Sequence, residues 1–440
     1  MDKTDNLYEQ VDLIREVFLY THRFKDTTFV IKIDDSLFDH ITFPVLIQDL
    51  ALLYRNGIRM ILVPGAAGRI NQILKEYDIS TEFHRGIRIS PPETLPFIKM
   101  AAFDVSNILM TALAAENLAA VIGNWVNARA LGVEDGVDYQ HSGTVHRVEG
   151  ETVKKIINEG LIPIFPCIGW SSSGKPYNIS STELAVKVAA QLGAEKLFFV
   201  DALEDLRAGD LPALSEESVV VDGRISRITL TDARVAVSSR RGEPRALALL
   251  EGAVQACEGG VDRVHIVDGR VQGVILKEIF SNQGIGTMIH DNPFEKIRPL
   301  DAPALPHVMR LIKPYIDQGM LVHRDEETVA ERIADYHIYE LDGSVYACGA
   351  LHVLEPGTGE IAALAVDPGY VHLQLGRKMV AFLIREARRR RMNRLFTLTT
   401  QTADWFESLG FRPAGLEDLP EAKRKSYNPR RNSKIYLLEL

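Results

Sequence analysis

Residues 360–391 read EIAALAVDPGYVHLQLGRKMVAFLIREARRRR. The run opens apolar, as a buried strand does, breaks at Asp367-Pro368-Gly369-Tyr370, and continues as a helix. A strand that empties into a helix leaves orphan backbone N–H groups and the positive end of the helix dipole facing the turn, which suits an anion. Glycine, which lets the backbone close on a phosphate, occurs here only as Gly369 and Gly376. A plain strand-to-helix connection gives the same pattern, so the flanking sequence decides. The helix closes on Arg388, Arg389, Arg390 and Arg391. Cations there complement a helix C-terminus, and contact with an acidic neighbouring subunit is the other reading.

Working outward, residues 296–300 (KIRPL) read as a strand, and 302–319 and 326–333 as helices. Residues 335–342, 344–355 and 358–367 read as three consecutive strands, the first two joined by Asp342-Gly343, a strong hairpin signal. After the long helix come a strand, a short helix and a last strand. This is an α+β plan. The turn-rich stretch at Gly284, Gly286, Asp291, Asn292 and Pro293 marks the junction with what precedes it, and divides the chain into 1–292 and 293–440.

The first part alternates strands (27–33, 58–64, 118–123, 161–166, 196–201, 262–268) with helices (45–57, 68–78, 182–194, 243–260). Apolar strands interleaved with helices predict an α/β domain with a mainly parallel sheet covered on both faces. Polar stretches at 133–147 and 207–228 read as surface hairpins. Residues Leu7, Val11, Ile14 and Phe18 stand at helical spacing near the N-terminus.

The 440 residues are 46% hydrophobic and 25% charged, with a formal charge of −9. That balance argues against nucleic-acid binding, which needs an excess of Lys and Arg. Cys167, Cys257 and Cys348 are far apart and form no C-x-x-C, so they read as reduced core thiols, with neither a disulfide frame nor a metal site. The N-terminal stretch lacks the basic and apolar regions of a signal peptide, and no run of about 18 apolar residues predicts a membrane span. The expectation is a cytoplasmic protein.

The opening segment resembles motif A of the GCN5-related N-acetyltransferases, whose loop presents N–H groups to the pyrophosphate of acetyl-CoA. The motif positions fall on Val371, Gln374 and Gly376, of which only Gly376 fits. Residues 402–411, TADWFESLGF, resemble the next element of that fold. Where many members have a proton-donating Tyr, this chain has Phe406, which has no proton to give. TGEIAALAVDPGY, RLFTLTTQTADWFESLGFRPAGLEDLP, KRKSYNPRRNSKIYLLEL and IKPYIDQGMLVHRD are similar to the bacterial N-acetylglutamate synthase family. That resemblance implies acetyl transfer from acetyl-CoA, as co-substrate with no permanent cofactor, to the α-amine of L-glutamate, the first step of arginine biosynthesis. It assigns Glu360 as general base and Thr399 as the proton-donor position, a poor acid on its own. Arg324, Arg431 and Ser433 would hold glutamate, whose two carboxylates need two fixed cations. Leu364, Val366, Gln374, Leu375, Gly376, Arg377 and Lys378 would hold acetyl-CoA.

The first domain resembles the amino-acid kinase family, N-acetylglutamate kinase above all, through FVIKI, ILVPGAAGRINQIL, FHRGIRIS, NISSTELAVKVAAQLGAEKLFFVD and RVHIVDGRVQGVILKEIFSNQGIGTMI. Lys32 survives, but Asp34 and Asp35 replace two glycines, Pro64-Gly65-Ala66-Ala67 replaces a glycine-rich turn, and Ser180-Ser181-Thr182-Glu183 replaces an Asn-x-Asp element. Two carboxylates beside a triphosphate would repel it, so no phosphoryl transfer is expected. The resemblance instead implies an L-arginine effector site at His265, Glu278, Gly284 and Gly286, with Phe18 where relatives have Tyr, and a homo-oligomer assembled through this domain. A non-catalytic arginine-binding regulator and a bifunctional synthase/kinase are the alternatives.

Overall fold

The computed structural model describes residues 24–204, 206–207, 209, 211, 214–215, 218–280, 284–291, 295–341, 344–368 and 375–440. The helix expected near the N-terminus, with Phe18, lies outside these residues, as do Asp342-Gly343, Gly369, Tyr370, Val371 and Gln374. The chain divides into two compact units, Met1–Asn292 and Pro293–Leu440.

Unit 1 is built on a nine-stranded sheet. Its strands are β1 (Thr28–Ile33), β2 (Arg59–Pro64), β3 (Ala120–Ile122), β6 (Ile162–Ile164), β9 (Lys196–Asp201), β10 (Val219–Val221), β11 (Arg224–Thr229), β12 (Arg263–Asp268) and β13 (Thr287–His290). They run in the order β10-β11-β13-β12-β9-β1-β2-β6-β3. Pairing is parallel except at β10–β11 and β12–β13. Alternate residues of the central strands feed two different cores: Val30, Ile61 and Val63 on one face, Phe29, Ile31, Met60 and Leu62 on the other. Such strands must be apolar at every position, which is why they read as uninterrupted runs.

The covering helices are α1 (Phe43–Arg55), α2 (Ala67–Glu76), α3 (Leu95–Ala115), α4 (Ser181–Leu192), α5 (Pro244–Glu258) and α6 (Val274–Phe280). The Ser180 hydroxyl caps α4 by accepting from the Glu183 N–H, and Gly193 ends it at φ 67°. Among the described residues α3 is long and apolar enough to cross a membrane by length and composition. It is a core helix of unit 1, with Ile98, Ala101, Ala102, Val105 and Leu109 buried.

The polar stretches read as surface hairpins do more than that. Residues 133–138 form a small hairpin, but β5 (Ser142–Val148) joins β4 (Val126–Ala130), β7 (Ile168–Trp170) and β8 (Pro176–Ile179) in a closed four-stranded barrel. The hairpin β10–β11 extends the main sheet and buries Ile225 and Ile228. The polar residues of β11 do not mark an exposed face, since Ser226 and Arg227 are buried beside Ile225 and Ile228.

Unit 2 holds β14 (Glu295–Pro299), α7 (Leu305–Asp317), α8 (Glu326–Glu331), β15 (Tyr336–Leu341), β16 (Ser344–Glu355), β17 (Thr358–Val366), α9 (Leu375–Arg389), β18 (Arg394–Thr399), α10 (Ala403–Glu407), β19 (Arg412–Ala414), α11 (Glu421–Ser426) and β20 (Lys434–Glu439). The sheet order is β14-β15-β16-β17-β18-β20-β19. The β17–β18 pair alone is parallel. Leu375, Met379, Val380 and Leu383 of α9 pack on one face of this sheet with Ala347, Leu351 and Ile361; Val308, Leu311 and Ile312 of α7 pack on the other with Ile338, Cys348 and Ala350. β19 is an element the sequence did not announce, three residues long with Pro413 at its centre.

Candidate active site

The site in unit 2 begins with a defect in β17. Ala363 sits at φ 50°, and the register with β16 slips between Cys348 and Ala350. This is a β-bulge, and it bends the strand. Parallel pairing with β18 holds only over Thr358, Glu360 and their partners Arg394 and Phe396. Beyond Glu360 the two strands part, and a cavity of about 530 Å³ opens between them.

Residues 361–366 of β17 form one wall of this first cavity; Thr399, Thr402, Trp405 and Phe406 form the opposite side. Leu364, Val366, Gly376 and Arg377 line it. Leu375 is buried in the core, so only its backbone is placed to serve a ligand. Lys378 does not line this cavity. It lies in a separate groove with Lys296 and Arg385, its ammonium 3.2 Å from the Tyr339 hydroxyl. Each helical residue turns about 100° from the last, which carries Lys378 off the face that Gly376 presents. Gln374 lies outside the described residues.

The Thr399 hydroxyl is 2.7 Å from that of Thr402 and accepts from the Thr402 N–H at 3.1 Å. Thr402, in the repetitive TLTTQT, was not singled out in the sequence. Tyr315 also lines the cavity, donating its hydroxyl to the Val366 carbonyl at 2.5 Å, and burial pushes its phenol up.

A second cavity of about 540 Å³ shares residues 361–363 with the first. Arg324, Glu360, Arg431 and Ser433 all line it. Arg324 donates to the Val322 carbonyl at 2.9 Å and Arg431 to the Met320 carbonyl at 2.5 Å. Burial, and then the charge of Arg324, hold Arg431 below the usual guanidinium range. The two cations therefore feel one another across the cavity. Glu360 is buried and clasped by Lys423, whose Nζ lies 2.6 Å from Oε1 and 2.8 Å from Oε2. Sequence reasoning missed Lys423, one of several cations in KRKSYNPRRNSK with no spacing to mark it.

In unit 1 the four residues expected to bind arginine are drawn into one cluster, but not as an open site. Glu278 Oε1 is 2.7 Å from His265 Nδ1, and Oε2 accepts from the N–H groups of Ile285 and Gly286, each at 2.8 Å. The glycine loop thus already holds an internal carboxylate. Burial alone would raise Glu278, but its bonds from His265 and the loop outweigh it and keep the carboxyl below its usual range. His265 is depressed by burial and by Lys196, and stacks on Phe198 at 4.6 Å. Gly284 lies against the Glu278 carboxylate at φ 61°, a position where a Cβ would both clash and strain the backbone.

Unit 1 also has a cavity of about 680 Å³, lined among others by Lys32, Asp34, Asp35, Asp201 and Arg245. Lys32 Nζ bridges Asp34 at 3.1 Å and Asp201 at 2.9 Å, and Arg245 bridges the same carboxylates at 2.6 and 2.7 Å. Burial opposes ionisation of Asp34, but Lys32, Ser36 and Arg245 hold it far below the carboxylate range. Asp35 Oδ2 accepts the Arg69 N–H at 2.7 Å, at the first turn of α2. Among the described residues no group of three or more His, Cys, Asp or Glu side chains is arranged to hold a metal ion.

Comparison with known proteins agrees with this architecture. Residues 27–268 match the amino acid kinase family and residues 295–411 the acetyltransferase (GNAT) family. An amino-acid acetyltransferase from Pseudomonas putida is 33% identical over 439 residues, covering 97% of this chain and 99% of its own length. One from Ectopseudomonas mendocina is 33% identical, with 98% and 99% covered. Among solved structures, N-acetylglutamate synthase from Neisseria gonorrhoeae, complexed with coenzyme A and L-arginine, is similar with a TM-score of 0.86 and 31% identity, covering 98% of this chain and 99% of that one. The same enzyme complexed with coenzyme A and N-acetyl-glutamate is similar with a TM-score of 0.61 and 32% identity over the same shares.

Proposed function

This chain belongs to the amino-acid acetyltransferases that join an amino acid kinase-type domain to a GNAT domain, and from that premise we propose that its acceptor is L-glutamate, that the reaction is the first step of arginine biosynthesis, and that L-arginine regulates it. The observation that carries the reading is the pair of cavities sharing residues 361–363. Acetyl-CoA occupies the first, along the strand β17 where it no longer pairs with β18. Glutamate occupies the second, where Arg324 and Arg431, with no carboxylate bonded to either among the described residues, stand as fixed cations for an acceptor carboxylate and Ser433 assists.

The reacting groups then meet at the shared wall. The α-ammonium must lose a proton before it can attack, and Glu360 takes it, through a water. The amine nitrogen bonds to the thioester carbonyl carbon, the C–S bond breaks, and the thiolate leaves as coenzyme A. Thr399, with its bonded partner Thr402, lies in the first cavity, where it can hydrogen-bond the thiolate while water supplies the proton. The soluble substrates and the three buried, unpaired cysteines, each pushed up to about 12 by burial, suit a cytoplasmic enzyme.

Unit 1 performs no phosphoryl transfer in this reading. Its remaining role is effector binding around His265 and Glu278, which requires arginine to displace or share the loop's bond to Glu278. The test is CoA release with L-glutamate and acetyl-CoA, with and without L-arginine. Release that depends on glutamate and responds to arginine is expected; no release overturns the proposal.

A further inference from the structure

Lys423 stands on α11, and its ammonium spans both oxygens of Glu360. Among the described residues lining the second cavity Glu360 is the sole carboxylate, facing Arg324, Lys423 and Arg431. Each oxygen of Glu360 already carries a bond from Lys423, so an arriving ammonium must share the carboxylate with that cation or displace it. Resting on the acetyl-transfer reading above, we infer that Lys423 is a positioning residue that changes partner when the acceptor docks. Glu360 turns to the acceptor's α-ammonium through the water that carries its proton, and Lys423 passes to its α-carboxylate.

Charge balance drives the exchange. An amino acid carries both signs on one carbon, so docking opens one ion pair and closes two, and no charge is left bare. A plain amine brings only the cation. It would strip Lys423 of its partner in a cavity that already holds two guanidinium groups, where an unpaired charge is costly. The Lys423 side chain is 26% exposed against 8% for Glu360, so the lysine is the partner with room to move. Its flexible four-carbon stem and compact ammonium suit a swing that the planar fork of an arginine would not make as readily. Lys423 therefore selects amino acids over amines, while Arg324 and Arg431 remain to read the second carboxylate.

The test compares L-glutamate with γ-aminobutyrate, which is glutamate without its α-carboxylate. Both are titrated calorimetrically into the CoA-loaded full chain. The parent should prefer glutamate, and Lys423→Met should shrink that preference at least tenfold, while Lys423→Arg retains most of it. A merely structural role would weaken both ligands alike. An unchanged preference in Lys423→Met overturns the inference. Thermal unfolding checks the variant, and if Met is not tolerated Lys423→Gln gives the same comparison. CoA release by the parent, measured alongside, separates the two readings. Turnover with an unchanged preference in the variant sinks the role of Lys423 alone. Selective binding without turnover sinks acetyl transfer alone.

Discussion

At the scale of single residues the second cavity is a concentration of positive charge around one carboxylate. Arg431 is held down by burial and by Arg324, so each guanidinium raises the cost of the other until an anion arrives. Truncating a buried, charge-paired side chain typically costs about 2–5 kcal/mol. Arg324→Ala should therefore raise the KM for glutamate at least tenfold; an unchanged KM would exclude it from the acceptor site. Glu360→Gln keeps the shape and removes the base, so kcat should fall about 10²–10⁴-fold with little change in acetyl-CoA affinity. Full activity in that variant would reject the assignment. Arg324, Glu360, Arg431 and Ser433 span 110 positions and are reached from the sequence only through the family resemblance, at matched positions. Lys423 is not reached at all. A lysine among neighbouring cations looks like a solvated one until the fold shows what it touches. Lys378 erred the other way: next in sequence to Gly376 and Arg377, it points elsewhere because a helix rotates its residues.

At the scale of elements, the strand β17 decides the site. Its bulge at Ala363 places a non-glycine residue at positive φ, a strain of about 1–2 kcal/mol. That cost is repaid by the fork it makes between β17 and β18. A β-branched side chain tolerates this backbone far less well. Ala363→Val should lower the melting temperature by several degrees and raise the KM for both substrates, since both cavities share this wall. Wild-type KM values in a folded variant would detach the bulge from the site. The apolar run that betrays the strand says nothing of the bulge, because Ala363 is as unremarkable in a straight strand as in a bent one. The four-stranded barrel of unit 1 escaped reading for a related reason. Its strands are three to seven residues long, and β7 is only Ile-Gly-Trp, too short to show a period. Most long buried strands and helices of both units, by contrast, carry their pattern over enough residues to be read directly, but α3, 21 residues long, escaped reading because apolar residues run nearly all round it.

At the scale of the whole molecule, one unit matches the GNAT family and the other is an amino acid kinase-type scaffold whose Lys32 is held inside the protein. Lys32, which would meet a phosphate, is shared between Asp34 and Asp201, and Arg245 completes the ring. The full chain should consume no ATP in the presence of N-acetylglutamate; measurable N-acetylglutamate-dependent phosphorylation would reopen the bifunctional alternative. The loss is visible in the sequence as Asp34 and Asp35, but its mechanism is not, since nothing in the sequence ties Arg245 to them. The contact between Asp35 and the Arg69 N–H has a further consequence. A carboxylate fixed to the chain beside a helix start competes with any free anion as an intramolecular rival, at an effective concentration of millimolar or more that does not fall when the cell is diluted or starved. Nucleotide in solution cannot outbid it by abundance. Replacing Asp35 with Gly would remove this rival and still leave Lys32 bound in its ring, so that single substitution would not free both groups together.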